Sequence, residues 1–217
     1  MTVSRATSAA RLDQLAEQYG LSPEQRDQLA AILAELDADT HAPTTVRAPD
    51  DAVDVHLADS LAALALSELT NAATVVDIGS GAGFPGLPLA VALPGATFSL
   101  VESQARKCAF LRRVCRAAKI ANATAVCVRV EELPQSKDAF DAALARAVGT
   151  PSVMLEYAAP LLRRGGALVD WRASLARDEE AAAARAADEL GLELSGVHEA
   201  APFPGASART LYLYTKV

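Results

Sequence analysis

A glycine-rich segment between residues 77 and 86 holds the side chains best placed to bind a ligand. Its sequence is Asp-Ile-Gly-Ser-Gly-Ala-Gly-Phe-Pro-Gly, and its first two residues end a run rich in β-branched residues, 74–78. Because glycine has no Cβ, a backbone of this composition can turn sharply and approach a ligand closely. A glycine loop between a strand and a helix is the nucleotide-binding position of open α/β sheets. The segment therefore predicts a cofactor site.

Two classes of cofactor fit the glycine spacing. Residues 81–86 match the dinucleotide fingerprint G-x-G-x-x-G, and Glu102 follows at the distance of about twenty positions where that fingerprint has its ribose-binding acid. A nicotinamide or flavin enzyme is therefore one interpretation. Asp77 favours the other, because a carboxylate at the strand exit would repel a pyrophosphate but suits S-adenosylmethionine, which carries an ammonium and a sulfonium. Glu102 could then accept hydrogen bonds from both ribose hydroxyls. A hydrogen bond to a charged group contributes about 1.5–3 kcal/mol of stabilisation.

Strands and helices alternate along the chain after residue 70. The hydrophobic pattern predicts strands at 74–78, 96–101, 123–128, 140–145, 167–171, 192–199 and 209–215, with helices at 86–93, 104–119, 151–162 and 175–190. This order is typical of a Rossmann-like α/β fold with a mostly parallel sheet. The last strand should be antiparallel, because residues 202–208 are too few for a crossover helix. Ligands bind at the carboxyl ends of such strands, which groups the glycine loop with Glu102, residues 129–132 and Arg146.

The first seventy residues have a helical pattern throughout. Ser22-Pro23-Glu24-Gln25 is a capping-box sequence with proline at the first helical position, and a third helix is predicted over 50–69. We expect two domains, a small helical domain at 1–70 on the substrate side and a cofactor-binding domain at 71–217.

Composition limits the classes of function. The 217 residues carry a formal net charge of −7, which argues against general charge-driven binding to nucleic acid or membrane. A basic cluster at 106–119 is either a phosphate-tracking face or an ordinary solvated surface. Cys108, Cys115 and Cys127 have no metal-ligand spacing and suggest buried free thiols in a reducing compartment. With no signal peptide or long apolar run, we expect a cytoplasmic protein with no metal and no membrane partner.

Four motifs taken together resemble one family. They are V-V-D-I-G-S-G-A-G-F-P-G-L-P-L-A at 75–90, Arg129 followed by V-E-E-L-P, Ala145-Arg146-Ala147, and H-L-A-D-S at 56–60. In this order they resemble the small-subunit (16S) ribosomal RNA guanine-N7 methyltransferase G family, also called glucose-inhibited division protein B. The likeness extends from about Val46 to Trp171.

The resemblance implies a class I methyltransferase sheet, S-adenosyl-L-methionine as methyl donor, and methylation of N7 of the guanine at position 527 in 16S ribosomal RNA. The implied partner is that RNA or the small ribosomal subunit. Carried over by position, Gly79 and Phe84 line the cofactor site, Val130 and Glu131 contact adenine, and Arg146 lies between cofactor and target. With the loop pattern, the predicted cofactor-binding residues are Asp77, Gly79, Gly81, Gly83, Phe84, Glu102, Val130, Glu131 and Arg146.

The reaction places few demands on side-chain chemistry. Guanine N7 has a lone pair and no proton to lose, so no general base is needed, and catalysis would rest on positioning. We expect Arg146 and Arg172 to hold phosphate or the N7/O6 edge of the base. His56 could contact RNA or the target base. The predicted catalytic residues are therefore Arg146, Arg172 and His56.

Several positions depart from the family pattern and leave alternatives open. The chain has Ala42-Pro43-Thr44 where the family has N-L-T, Val55 in place of a basic residue, and Arg172-Ala173 where the family has K-G. The residues expected to bind the cofactor thus match the family pattern better than the residues expected to bind RNA. A methyltransferase for a small molecule or protein, and a non-catalytic ribosome-binding module that retains the cofactor, remain as alternatives.

Overall fold

A seven-stranded sheet forms the centre of the computed structural model, which describes residues 7–133, 137–203 and 209–217. Its strands are β1 (Thr74–Ile78), β2 (Thr97–Val101), β3 (Ala123–Val126), β4 (Phe140–Arg146), β5 (Leu162–Arg172), β6 (Leu192–Ala200) and β7 (Arg209–Lys216). Their order is β3-β2-β1-β4-β5-β7-β6, and β7 runs antiparallel to both of its neighbours. The predicted Rossmann-like α/β sheet with an antiparallel last strand is confirmed.

Helices cover both faces of the sheet. In chain order they are α1 (Ser8–Gln18), α2 (Pro23–Ala38), α3 (Pro49–Ala52), α4 (Asp59–Leu61), α5 (Ser67–Thr70), α6 (Gly86–Ala92), α7 (Ala105–Ala117), α8 (Pro151–Ala158) and α9 (Arg177–Leu190). One core cluster joins the N-terminal helices, α6 and α7 to one sheet face, and a second joins α8 and α9 to the other. Burial on both faces explains why the central strands are almost continuously apolar.

The chain reverses its direction of travel across the sheet between β1 and β4. Beside β1 lie β2 on one side and β4 on the other, both parallel to it. At their amino ends, one carboxylate oxygen of Asp141 accepts from the backbone N–H groups of Ala73 and Thr74, each at 2.8 Å. Because β1 and β4 are parallel neighbours, their carboxyl ends lie side by side. This is the point where the strand order changes direction, and open sheets bind ligands there.

Helix α2 begins as its sequence predicts. Ser22 Oγ accepts from the Gln25 backbone N–H at 3.2 Å, and Gln25 Oε1 accepts from the Ser22 N–H at 2.8 Å. The same Gln25 amide donates to the Val91 carbonyl at 2.8 Å. The capping box therefore also fixes α2 against α6.

The predicted continuous helix over 50–69 is wrong. After α3 the chain makes a π-helical segment, Val53–Ala58, then α4 and a 3-10 turn, Ala62–Ala65, before Leu66 adopts an extended conformation and α5 begins. Ser60 Oγ donates to the His56 carbonyl at 2.6 Å. Such π turns are common at functional sites, and this one lies where His56 and Asp59 approach the sheet.

Two other expectations needed correction. Strand β5 begins at Leu162 rather than 167, because the helix before it ends at Ala158. Cys108 and Cys127 form a disulfide rather than remaining free thiols, since the start of α7 and the residue after β3 lie with their Cα atoms 5.8 Å apart. Cys115 is unpaired and half-buried. In the part of the chain that the structure describes, no helix is long and apolar enough to cross a membrane.

Candidate functional site

The glycine loop makes a tight turn at the carboxyl end of β1. The Ser80 N–H donates to the Val101 carbonyl of β2 at 3.0 Å, and the Gly83 N–H donates to the Ser80 carbonyl at 2.6 Å. Gly79 has φ +68, and a Cβ there would lie 2.8 Å from Val148 Cγ2. A side chain at this position would be strained and would also collide with the loop after β4.

A small cavity opens beside this turn, and we call it the Glu102 cavity. Its volume is about 140 Å³. Four of the predicted cofactor-binding residues line it, namely Gly79, Glu102, Val130 and Glu131. The sequence predicts that these residues lie close together, because the carboxyl ends of parallel strands meet at one edge of the sheet. The structure brings the four residues together at this cavity.

Glu102 is buried and organises the turn. Its Oε2 accepts from the Gly81 N–H at 3.1 Å, and its Oε1 accepts from the Gln104 N–H at 2.9 Å. Both oxygens thus already have a backbone donor, and Lys107 Nζ is 3.8 Å from Oε2. A carboxylate has about four lone-pair sites, so each oxygen keeps capacity for a ribose hydroxyl.

Tyr157 is a contact that sequence reasoning missed. It lies on α8, lines the Glu102 cavity, and donates through its hydroxyl to Glu131 Oε1 at 3.0 Å. A hydrogen bond from the Glu131 backbone N–H, followed by this bond, lowers the pKa of Glu131. The same bond to Glu131 raises the pKa of Tyr157. Nothing in the sequence near residue 157 indicates it, because the pairing depends on how α8 packs beside β4.

Asp77 lies beneath the loop and is almost fully buried, with a relative exposure of 1%. Its Oδ2 has no hydrogen-bond partner among the described residues. Burial raises the pKa of Asp77 to about 6, while hydrogen bonds from Ser80 and the charge of Arg146 act in the opposite direction. An unpartnered buried carboxylate oxygen is costly, and a cationic donor such as an ammonium would satisfy it. The charge of Asp77 therefore suits S-adenosylmethionine better than a diphosphate, although Asp77 is not among the residues that line the Glu102 cavity.

A second and larger cavity lies at the end of β4, and we call it the Arg146 cavity. Its volume is about 500 Å³, and its lining includes all three predicted catalytic residues, His56, Arg146 and Arg172. Consecutive residues separate the two cavities, since Ala147 lines the Arg146 cavity and Val148 lines the Glu102 cavity. A single peptide unit after β4 thus divides them.

Asp59 holds the arginines of this cavity and was not predicted as a site residue. It is 2% exposed, and its two oxygens accept from Arg146 Nη1 at 2.7 Å and from Arg209 Nε at 3.1 Å. The one feature of the sequence that could have indicated a role for Asp59 is its position inside the H-L-A-D-S motif at 56–60. Because Asp59 takes one donor from each arginine, other N–H groups of both side chains remain for a ligand.

His56 is held as a neutral ring. Its Nε2 lies 3.0 Å from the Val46 carbonyl, which can only accept, so Nε2 carries the proton. Nδ1 is then an acceptor and faces Arg146 Nη2 at 3.4 Å. Burial and the charge of Arg146 lower the pKa of His56 to about 4. His56 therefore serves as a fixed acceptor for Arg146.

Phe84 and Gly83 do not line the Glu102 cavity. The Phe84 ring stacks on His56 with centroids 4.4 Å apart, and the Arg146 guanidinium lies 5.7 Å from its centroid. A Cβ on Gly83 would lie 2.1 Å from Leu87 Cδ1. Gly83 thus permits close packing of α6, and Phe84 joins the glycine loop to the Arg146 cavity.

Arg172 is more constrained than Arg146. Its Nε donates to Asp170 Oδ2 at 2.8 Å and its Nη1 to the Gly149 carbonyl at 2.7 Å. Among the described residues, Nη2 of Arg172 and Oδ1 of Asp170 are buried without a partner. Burial raises the pKa of Asp170 to about 6.

The basic cluster on α7 is partly committed to intramolecular contacts. Arg113 donates to both Glu35 and Asp39, and Arg106 donates to the His41 carbonyl. Arg112, Arg116 and Lys119 are exposed. Phe110, Leu111 and Val114 are buried, as their spacing predicts, and Cys108 is buried with them.

The chain is similar to one family over most of its length. The family model described as "rRNA small subunit methyltransferase G" matches residues 24–203. Proteins named ribosomal RNA small subunit methyltransferase G are 37% identical over 177 residues in Carboxydothermus hydrogenoformans and 37% identical over 210 residues in Roseiflexus castenholzii. These alignments cover 80% and 94% of this chain and 75% and 89% of the relatives. A relative of the same name from Trichormus variabilis is 38% identical, with 68% of this chain and 64% of the relative covered.

Solved structures share the fold at low identity. The S-adenosylmethionine-dependent methyltransferase SibL in its apo form superposes with a TM-score of 0.60 at 14% identity, covering 96% of this chain and 74% of its own. Pyrococcus horikoshii TYW2, solved in complex with MeSAdo, superposes with a TM-score of 0.56 at 19% identity, covering 69% and 61%. At these identities the likeness concerns the fold.

Proposed function

The chain belongs to the rRNA small subunit methyltransferase G family, and from this premise we propose that it transfers a methyl group from S-adenosylmethionine to N7 of a guanine in small-subunit ribosomal RNA. The observation that carries the proposal is the pair of cavities on either side of residues 147 and 148. One is lined by the buried carboxylate of Glu102 and the exposed carboxylate of Glu131, which suit a cationic nucleoside. The other has arginines that suit a nucleic acid.

S-adenosylmethionine would supply an activated methyl group when bound. Asp77 would accept from its ammonium and Glu102 from its ribose hydroxyls, while Val130 and Glu131 would lie against the adenine. Gly79 leaves the room that this approach needs, because a Cβ there collides with Val148. These roles agree with the unpartnered oxygen of Asp77 and with the four predicted residues that line the Glu102 cavity.

The Arg146 cavity would hold the target base. Arg146, oriented by Asp59 and His56, would donate to the N7/O6 edge or to the adjacent phosphate, and Arg172 and Arg209 would hold the backbone nearby. Because N7 has no proton, His56 is not required as a base, which suits a ring that stays neutral and already accepts from Arg146. The residues would act by positioning the nucleophile and excluding water.

We further propose that the substrate is 16S ribosomal RNA, either as free RNA or as part of the small ribosomal subunit. We also propose that the protein acts in the cytoplasm. The helical segment before β1 contributes Thr44, Thr45, Val46, Val55, His56 and Asp59 to the lining of the Arg146 cavity. The proposed division at residue 70 thus assigns one wall of the substrate cavity to the helical part and the other to the sheet.

The test is methyl transfer from labelled S-adenosylmethionine to 16S RNA, to small subunits and to a small-molecule mixture. We expect label at guanine N7 in 16S RNA, loss of that label in Arg146→Ala, and no change in the exposed control Arg164→Ala. Label in a small molecule alone, or no label in any substrate despite cofactor binding, would refute RNA methylation. A thermal shift with NAD and none with S-adenosylhomocysteine would refute the cofactor assignment.

A further inference from the structure

A groove at the far edge of the sheet is apolar inside and acidic at its rim. It lies between α9 and strands β6 and β7 and has a volume of about 550 Å³. Buried Ala187, Leu192, Tyr212 and Tyr214 line its interior. None of its lining residues lines the Glu102 cavity or the Arg146 cavity. The groove is therefore separate from the site proposed for methyl transfer.

Exposed apolar side chains continue the groove onto the surface. Leu194 and Val197 of the edge strand β6 are 47% and 52% exposed. Among the described residues, the other large apolar side chain that is exposed is Val217. A contiguous exposed apolar patch with a polar rim is the mark of an interaction site.

The negative charge at the rim of the groove indicates which kind of partner could bind there. Glu180, Asp188 and Glu193 line the groove, whereas none of its described lining residues is lysine or arginine. Arg177 and Arg185 belong to α9 but do not line it. Carboxylates around an apolar centre repel phosphates and attract cationic groups. A ribonucleic acid therefore fits this surface poorly, and a basic polypeptide fits it well.

A second copy of the chain also fits poorly. The register of β6 against β7 shifts between Leu194 and Gly196, and such a bulge interrupts further pairing at an edge. Antiparallel pairing of β6 with the same strand of a second copy would also place Glu193 of one copy near Glu199 of the other. Like charges opposite each other are destabilising.

We propose that this groove docks a basic polypeptide segment of a partner protein, with one or two apolar side chains of the segment seated over Leu194 and Val197. The apolar contact supplies affinity, and the rim carboxylates pair with flanking lysines or arginines. The Tyr214 hydroxyl stays protonated at neutral pH, because burial raises the pKa of Tyr214 to about 12, so it can donate to a backbone carbonyl of the segment. The proposal does not depend on methyl transfer.

The test is fluorescence anisotropy with a labelled peptide of about twelve residues that has two central leucines flanked by lysines. We expect saturable binding that weakens as salt rises. The double variant Leu194→Ser/Val197→Ser should bind at least about tenfold more weakly. Glu180→Gln/Glu193→Gln should also bind more weakly and lose most of the salt dependence. The control Glu24→Gln/Asp27→Asn removes two exposed acids of α2 and should bind as the parent protein does.

Three outcomes would overturn the docking proposal. They are equal binding by the Leu194→Ser/Val197→Ser variant, equal binding of a peptide with glutamates in place of its lysines, and self-association of the protein that the same variant abolishes. Circular dichroism and S-adenosylhomocysteine affinity should stay unchanged in every variant. A failure here with intact cofactor binding would leave the methyltransferase proposal standing.

Discussion

His56 and Phe84 stack face to face, with ring centroids 4.4 Å apart and planes 10° from parallel. One ring lies in the π-helical segment before the sheet, and the other lies in the glycine loop after β1. The stack therefore joins the wall of the Arg146 cavity to the loop that borders the Glu102 cavity. Stacked aromatic pairs contribute about 0.5–1.5 kcal/mol beyond the area they bury.

We expect His56→Phe to separate the two roles of this ring. Phenylalanine can keep the stack on Phe84 but cannot accept from Arg146 at the position of Nδ1. A hydrogen bond to a charged group contributes about 1.5–3 kcal/mol, so kcat should fall about tenfold to a hundredfold while the Kd for S-adenosylhomocysteine changes little. Single-turnover methylation and calorimetry measure the two quantities. Equal losses of kcat and of cofactor affinity would contradict a positioning role.

Asp59→Asn should loosen both arginines of the cavity. The neutral amide loses the charge that Arg146 and Arg209 share and offers a single acceptor oxygen. We expect methyl transfer to fall at least about tenfold, the free energy of unfolding to fall by about 1.5–3 kcal/mol, and cofactor affinity to be retained. Methylation assays and urea unfolding check this.

The matched control for that variant is Asp54→Asn. Asp54 also pairs with an arginine, Arg11 Nε at 2.7 Å, but it does not line the Arg146 cavity. Its loss should lower stability modestly and leave the methylation rate unchanged. Equal rate losses in the two variants would show that Asp59 acts through stability alone.

Local pattern was enough to group four of the predicted cofactor-binding residues, Gly79, Glu102, Val130 and Glu131, at one cavity. Asp77 lies near the end of β1, the glycines follow that strand, and Glu102 follows β2 directly. Parallel strands bring their carboxyl ends to one edge of the sheet. Strand β1 has the predicted bounds, and the capping box of α2 forms as its four residues indicate. In each case the signal lies within a few residues of the structure that it specifies.

Contacts between distant residues could not be predicted in this way. Arg209 and Asp59 are 150 positions apart, and Tyr157 and Glu131 are 26 apart. Their pairing depends on how whole elements pack. The π turn was missed because the apolar pattern over 50–69 continues through it, and the disulfide was missed because spacing alone does not show which cysteines meet.

Gly86→Ala should displace Asp77. Gly86 has an ordinary helical backbone, yet a Cβ there would lie 2.5 Å from Asp77 Oδ2 and 2.6 Å from Leu100 Cδ2. Such overpacking costs about 1–3 kcal/mol, and we expect S-adenosylhomocysteine to bind at least about tenfold more weakly. Gly95→Ala is the control, because nothing lies within 4 Å of its added Cβ. Isothermal calorimetry compares them, and unaltered affinity in Gly86→Ala would mean that the Asp77 carboxylate does not contact the cofactor.

Asp77 should also make cofactor affinity and stability depend on pH in opposite directions. Because burial raises its pKa to about 6 in the folded protein, well above the ordinary value of about 3.9, the folded state binds the proton more tightly than the unfolded state does. Its contribution to the stability of the ligand-free protein is therefore complete below about pH 4 and is lost as pH rises to about 6. The ammonium group of S-adenosylhomocysteine needs the ionised carboxylate, so affinity for this ligand should rise over the same interval and level off above pH 6.

Asp77→Asn provides the decisive comparison for this last prediction. The amide cannot ionise, so the variant should bind S-adenosylhomocysteine more weakly at pH 7, and its affinity should stay nearly constant between about pH 5 and 7. Asp170→Asn is the control, because burial also raises the pKa of Asp170 to about 6, but Asp170 lies on β5 and accepts from Arg172 instead of lying at the glycine loop. That variant should lose part of the pH dependence of stability and keep the full pH dependence of affinity. Calorimetric titrations of the three proteins across this range measure the effect. A pH dependence of affinity that survives in Asp77→Asn would assign the ionisation to another group and remove Asp77 from the cofactor site.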